Sequence, residues 1–136
     1  MSADVFDQVA RDYERIHNRS LPPGVRSDEF VAQKAAQLVA WLGAAYRGRE
    51  LRYLDFGCGN GRLFRRLLDS PGLQPLFDRG HLRLFGFDTS VESLREAEAI
   101  AGAGNVCLVD DFARFPRGVR FDFVISCNVF HHIPPA

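Results

Sequence analysis

Three glycines at alternate positions, Gly57, Gly59 and Gly61, separate a short apolar run from a stretch in which apolar residues have helical spacing. The run, residues 51–56, predicts a buried strand, and the carboxylate of Asp55 lies near its end. Glycine lets the backbone adopt a positive φ or approach a ligand closely, and the first N–H groups of a helix have no partner within the helix. A strand, a glycine-rich turn and a helix in this order therefore predict a binding site for a small anionic molecule.

The spacing of the glycines narrows the choice of ligand. A dinucleotide fingerprint requires a third glycine at the sixth position counted from Gly57, and Arg62 stands there instead. A phosphate loop requires Gly-Lys-Ser or Gly-Lys-Thr after four spacers, which this stretch lacks. The pattern therefore disfavours NAD, ATP and GTP, and what remains is D-x-G-x-G-x-G from Asp55 to Gly61.

The heptapeptide 55–61 resembles the first motif of the class I S-adenosylmethionine-dependent methyltransferases. The resemblance implies S-adenosylmethionine as the cofactor and S-adenosylhomocysteine as the product. It also implies that the backbone at Gly57 and Gly59 packs against the methionyl part of the cofactor. Asp55 would then lie near the methionyl amino group, with Asn128 or its neighbour beside it. The remaining predicted contacts of this loop are Cys58, Asn60 and Gly61.

Asp88 follows a second apolar run, residues 82–87, which predicts another strand. An acid at this position can accept hydrogen bonds from both hydroxyls of a ribose, so Asp88 is the predicted ribose ligand, with Thr89 beside it. The alternative for Asp88 is a structural role as a helix N-cap. Thr89 and Glu92 also have the spacing of a capping box, which predicts a helix that stops at Gly102.

The adenine contacts are implied by the resemblance alone. In the resembling family an Asp shortly before a Pro contacts the adenine amino group, and Asp111, which precedes Pro116, matches it. Phe112 would offer its backbone N–H and its ring to the adenine, and Tyr13 is a candidate lid aromatic over the cofactor. The alternatives are that Asp110 and Asp111 form a solvated turn and that Tyr13 only packs two helices together.

Two adjacent histidines, His131 and His132, follow the predicted fourth strand. In-line methyl transfer depends mostly on the alignment of nucleophile, methyl carbon and sulfur, and a base is needed only when the nucleophile must lose a proton. His131 and His132 are the candidate bases, and the alternative is that their imidazoles cap or pack a turn. A zinc site that combines them with Cys127 lacks a fourth ligand and the usual spacing, so no metal is expected.

Apolar periodicity places these residues on a doubly wound, Rossmann-like α/β domain with a parallel sheet behind two leading helices. Residues 1–48 are expected to form a helical N-terminal cap or lid, and residues 49–136 the cofactor-binding core. The predicted helices are 5–16, Ser27 to Gly48, 62–68 and 89–102, with a loop over 70–80. The predicted strands are 51–56, 82–87, 105–109 and 121–126.

Composition excludes several classes of partner. Acidic and basic residues balance at 17 each in the 136-residue chain, so no global field favours nucleic acid or an anionic membrane. The three cysteines include no C-x-x-C pair, the N-terminal stretch has no apolar signal core, and no apolar run is long enough to span a bilayer. The sequence therefore predicts a soluble, cytoplasmic protein with no membrane span.

The resemblance implies more strands than the pattern supplies, because the family's sheet usually has seven and four are predicted here. We therefore expect a truncated chain that holds the cofactor, is weak or inactive alone, and can form a homo-oligomer through its exposed fourth-strand edge. The stretch 123–133 resembles small-molecule methyltransferases, which favours a small organic acceptor. The alternatives are a non-catalytic module that binds S-adenosylmethionine or S-adenosylhomocysteine and, less favoured, a nicotinamide-dependent oxidoreductase.

Overall fold

A parallel sheet of four strands organises the described part of the chain. The computed structural model describes residues 27–101 and 106–126. The strands are β1 Leu51–Phe56, β2 Leu82–Phe87, β3 Val106–Val109 and β4 Phe123–Ile125, and their spatial order is β3-β2-β1-β4. Because the chain moves from β1 outward to β3 and then returns to the other side of β1, strand order reverses beside β1. The predicted doubly wound, Rossmann-like fold is therefore confirmed.

Helices precede the sheet and connect its strands. They are α1 Ser27–Ala45, α2 Arg62–Leu68, α3 Gln74–Asp78 and α4 Val91–Ala101, with a 3₁₀ turn at Phe112–Arg114. The predictions for α1, α2 and α4 are confirmed in place, although α1 ends three residues before Gly48. The predicted loop over 70–80 is wrong in part, because it contains α3. Burial explains this helix, since Leu73, Leu76 and Phe77 have helical spacing and all pack into the core.

Two clusters of buried side chains lie on the two faces of the sheet. On one face α1 contributes Leu38 and Leu42, which share a cluster with Tyr53 of β1 and Phe64 of α2. On the other face Leu54, Phe85, Val109 and Phe115 form a second cluster. Because successive strand residues point to opposite faces, one strand supplies both clusters. The predicted boundary between a cap and a core at residue 48 stays a prediction.

The third and fourth strands are shorter than predicted. β3 begins at Val106, and residues 102–105, which include the predicted helix stop, lie outside the described residues. β4 excludes Phe121, whose ring packs edge-on against Phe85 and Phe115. Asp122 instead pairs with Arg52: its N–H donates to the Arg52 carbonyl at 2.8 Å, and its carboxylate accepts the Arg52 N–H at 2.9 Å. These contacts hold the chain at the entrance to β4 without extending the ladder.

No helix within residues 27–101 and 106–126 has the length and apolar character needed to cross a bilayer.

Candidate functional site

The glycine-rich loop leaves β1 in a left-handed conformation and is fixed to the end of β2. Gly57, Gly59 and Gly61 have φ values of 79°, 57° and 81°. The N–H groups of Gly57 and Cys58 both donate to the carbonyl of Phe87, at 2.8 and 3.0 Å. Gly61 is the N-cap of α2. A residue with a side chain would be strained at each of the three positions, so the alternating glycines are a requirement of this backbone path.

Asp88 ties the glycine-rich loop to the start of α4. One oxygen of its carboxylate accepts the N–H of Gly59 at 2.9 Å, and the other accepts the N–H of Ser90 at 2.9 Å. The residue is only 7% exposed. Asp88 therefore has a structural role, because it holds the glycine-rich loop against the start of α4. The role of Asp88 as a ribose ligand stays a prediction.

Ser90 is the cap of α4, and the prediction of a capping box that begins at Thr89 is wrong. The hydroxyl of Ser90 accepts the N–H of Ser93 at 3.1 Å, three residues into the helix. The carboxylate of Asp88 accepts the N–H of Ser90 at 2.9 Å, so Asp88 contributes to the turn that precedes α4. The Thr89 hydroxyl is buried and has no hydrogen-bond partner among the described residues. The place of Thr89 in the ligand site stays a prediction.

Asp55 is buried at the end of β1 and is 3% exposed. One of its oxygens, Oδ1, has no hydrogen-bond partner among the described residues. Burial, together with the charge of Asp88, raises the pKa of Asp55 from its usual 3.8 to about 7. Burial also raises the pKa of the Cys58 thiol well above its usual range, with Asp55 and Asp88 adding to the shift. The Cys58 side chain is therefore a neutral thiol, and Asp55 holds a proton for much of the time near pH 7.

Three aromatic rings stack on the second face of the sheet at its carboxyl-terminal edge. The centroid of the Phe112 ring lies 4.4 Å from the centroid of the Phe87 ring, with an angle of 13° between the ring planes. It lies 5.6 Å from the centroid of the Phe56 ring, with an angle of 15°. Phe56 and Phe87 are register partners on β1 and β2. Phe112 remains 48% exposed. Sequence reasoning singled out Phe112 but missed Phe87 behind it, which the two-residue alternation of the strands could have placed on the same face.

Asp111 is exposed, and its carboxylate accepts the N–H of Ala113 at 2.9 Å. It therefore caps the 3₁₀ turn that carries Phe112, which accords with the turn proposed as its structural alternative. The exposed carboxylate of Asp111 still has lone pairs that can accept a further hydrogen bond. Its contact with the adenine amino group stays a prediction.

The structure brings the predicted residues of the first three strands to one edge of the sheet. The glycine-rich loop contacts Asp88 directly, Asp55 lies close enough to Asp88 for their charges to interact, and the Phe112 ring lies over the end of β2. Asn60 lies within the loop and is half-buried. The predictions for Tyr13, Asn128, His131 and His132 fall outside the described residues.

In this parallel α/β sheet, the first strand ends in a buried acid and a glycine-rich loop. The second strand ends in an acid that is hydrogen-bonded to that loop. This arrangement is expected of class I S-adenosylmethionine-dependent methyltransferases. A family model described as "Methyltransferase domain" matches residues 54–136. The chain belongs to this methyltransferase-domain family. The class predicted from the heptapeptide 55–61 is therefore confirmed.

Solved structures with the same fold include methyltransferases with the cofactor or its product bound. Magnesium protoporphyrin IX methyltransferase from Synechocystis PCC 6803 with bound S-adenosylmethionine is 26% identical, with a TM-score of 0.61 over 97% of this chain and 62% of that one. The same enzyme with bound S-adenosylhomocysteine has a TM-score of 0.58 over 97% of this chain and 59% of that one, also at 26% identity. The DszA carbon methyltransferase is 22% identical, with a TM-score of 0.59 over 96% of this chain and 35% of that one, and shows the fold alone.

The chain spans about three-fifths of the length of the first of these structures. No curated protein matches the sequence at a significant level.

Proposed function

We propose that this chain binds S-adenosylmethionine and forms the cofactor-binding part of an enzyme that transfers the cofactor's methyl group to a small-molecule acceptor. The observation that carries the proposal is the hydrogen bond between Asp88 and Gly59, which places a buried carboxylate against the glycine-rich loop. The neighbours that hold S-adenosylmethionine and S-adenosylhomocysteine support the choice of ligand.

The described residues fit a nucleoside ligand that carries an amino acid. Asp55 and Thr89 each present a buried oxygen that lacks a protein partner among the described residues, and a bound ligand can satisfy both. In the proposed arrangement Asp88 accepts the ribose hydroxyls, while Asp55 faces the methionyl amino group. The half-exposed ring of Phe112 offers a face on which adenine can stack.

The cofactor supplies an electrophilic methyl group on a sulfonium, and the protein's contribution is to hold it. In-line displacement requires the nucleophile, the methyl carbon and the sulfur to be collinear, so a rigid site contributes through orientation. The glycine-rich loop is held by the hydrogen bonds from Gly57 and Cys58 to Phe87 and from Gly59 to Asp88. We propose His131 and His132 as general bases for acceptors that must lose a proton, and Asn128 and Tyr13 as further cofactor contacts.

The acceptor is proposed to be a small organic molecule. The neighbour from Synechocystis PCC 6803 is a magnesium protoporphyrin IX methyltransferase, which is consistent with a small acceptor. Turnover is tested by adding candidate acceptors to the cofactor-loaded chain and measuring the release of S-adenosylhomocysteine. Binding of the cofactor without any release would favour the non-catalytic binding module.

Isothermal titration calorimetry tests cofactor binding directly. S-adenosylmethionine and S-adenosylhomocysteine should bind and NAD should not, whereas binding of NAD alone would contradict the proposal. Asp88→Asn should weaken S-adenosylhomocysteine roughly tenfold to a hundredfold, because hydrogen bonds to a charged group contribute about 1.5–3 kcal/mol. Asp69→Asn is the matched control, since Asp69 is exposed and pairs with Arg65. Equal affinities for the two variants would remove Asp88 from the site.

A further inference from the structure

Gly86 lies within β2, and a glycine inside a strand often marks a place where another part of the chain comes close. Its register partners are Asp55 on β1 and Leu108 on β3. A Cβ at this position would lie 2.9 Å from Sγ of Cys58, 2.8 Å from Cε2 of Phe64 and 2.7 Å from Cδ2 of Leu108. Cβ atoms in proteins essentially never lie within 3.0 Å of such atoms. The space beside Gly86 is therefore already filled, and one of the groups that fill it comes from the glycine-rich loop.

The side chain of Cys58 joins the glycine-rich loop to the core. Cys58 is 8% exposed and belongs to the buried cluster that includes Phe64. Its thiol donates a weak hydrogen bond to the Gly59 carbonyl at 3.8 Å. Among residues 57–61, all of which the structure describes, three are glycines and Asn60 is only half-buried. Cys58 therefore supplies the loop's side-chain contact with the sheet.

This side-chain contact lies next to two of the hydrogen bonds that hold the loop. The Cys58 N–H donates to the Phe87 carbonyl at 3.0 Å. The next N–H along the loop, that of Gly59, donates to the carboxylate of Asp88 at 2.9 Å. Gly86, Phe87 and Asp88 are consecutive, so the end of one strand holds the loop by a sulfur contact and by hydrogen bonds. Because hydrogen bonds weaken as their geometry departs from the ideal, a displaced sulfur that moves the loop also weakens these bonds.

We propose that Cys58 is a positioning residue for the cofactor site and that Gly86 provides the space in which its sulfur lies. The inference rests on the proposed cofactor binding, because the sulfur acts on the Gly59 N–H and through it on Asp88. This role does not require the Cys58 side chain to contact the ligand. The sulfur and a methyl group on residue 86 would occupy the same space, so one of them can fill it and both together cannot.

Substitutions at the two positions should therefore compensate for each other in the affinity for S-adenosylhomocysteine. Gly86→Ala should push the sulfur and the loop outward and weaken binding about tenfold by calorimetry. Cys58→Ala leaves the space empty and should weaken binding roughly threefold. In Cys58→Ala/Gly86→Ala the methyl group replaces the sulfur, so this variant should bind about fivefold more tightly than Gly86→Ala does. Losses that multiply, as independent effects do, would overturn the inference.

Two controls separate the positioning role from the packing of the core. Leu108→Ala relieves a contact of the new methyl group that does not involve the loop, so its addition to Gly86→Ala should leave binding weak. Recovery of affinity by Leu108→Ala to the same extent as by Cys58→Ala would overturn the inference. Gly43→Ala is the matched control, because Gly43 has open space around it, and it should bind as the unmodified chain does.

The test holds even where urea denaturation shows that Gly86→Ala alone is unfolded. Cys58→Ala/Gly86→Ala is then compared with Cys58→Ala, and the added methyl group should weaken binding by less than about threefold, because it fills an empty space. A further tenfold loss would overturn the inference. Failure of the unmodified chain to bind S-adenosylhomocysteine would instead refute the proposed function, whereas normal binding with independent losses refutes the positioning role alone.

Discussion

Asp55→Asn should change the pH dependence of stability even when no ligand is present. The pKa of Asp55 is about 7 in the folded protein and close to 3.8 in the unfolded chain. Between these values the folded state holds a proton that the unfolded state lacks, so the free energy of unfolding falls as pH rises. The group therefore favours folding most at low pH and least above pH 7.

The magnitude follows from the difference between the two pKa values. Over the whole window the loss of stability amounts to about 4 kcal/mol, and between pH 5 and pH 8 to roughly 2.5 kcal/mol. Solvent screening does not reduce the figure much, because the side chain is 3% exposed. Asparagine does not titrate, so the variant should lose this component of the pH dependence. The buried amide of the introduced asparagine lowers the free energy of unfolding by about 1–3 kcal/mol at any pH. This constant loss cancels when the variant is compared between two pH values.

Urea denaturation followed by circular dichroism at pH 5 and pH 8 measures the effect. The difference in the free energy of unfolding between Asp55→Asn and the unmodified chain should shift in favour of the variant by roughly 2.5 kcal/mol from pH 5 to pH 8. The control, Asp69→Asn, should show no comparable shift, because Asp69 is exposed. A difference for Asp55→Asn that stays constant across this range would refute the assignment of a buried, proton-holding carboxyl to Asp55.

Two further substitutions probe the glycine-rich loop and the aromatic stack. In Gly61→Ala the new Cβ would lie 2.8 Å from the Cβ of Ala97 at a φ of 81°, so thermal denaturation should show a loss of about 2–4 kcal/mol. Gly48→Ala has the same φ but open space around it, and a loss of only about 1 kcal/mol is expected; equal losses would refute the steric argument. Phe112→Ala removes the exposed ring that stacks on Phe87, so calorimetry should show roughly tenfold weaker binding of S-adenosylhomocysteine. The control Phe112→Tyr keeps an aromatic ring and should preserve the affinity. An unchanged affinity in Phe112→Ala would argue against adenine stacking.

Local patterns predicted the regular elements well where one face of an element is buried. Both six-residue strands, Leu51–Phe56 and Leu82–Phe87, were predicted residue for residue, because each is a short run rich in large apolar residues and is followed by glycine or a polar turn. The errors lie where tertiary contacts override the local signal. α3 forms in a stretch rich in turn residues because its apolar side chains reach the core. Ser90 rather than Thr89 caps α4: the Ser90 hydroxyl accepts the N–H of Ser93, while the Thr89 hydroxyl has no hydrogen-bond partner among the described residues.

The sequence by itself determined the identity of the loop, since the alternating glycines and the preceding acid encode a strand, a left-handed turn and a helix through local backbone preference. The order of strands and helices determined the fold in the same way. Only the tertiary structure decided what the acids do. The bond between Asp88 and Gly59, the burial of Asp55 beside Asp88 and the stacking of Phe112 on Phe87 join residues that lie far apart in the chain. The proton affinity of a carboxyl depends on the solvent and charges that these distant elements remove or supply, which no local pattern contains.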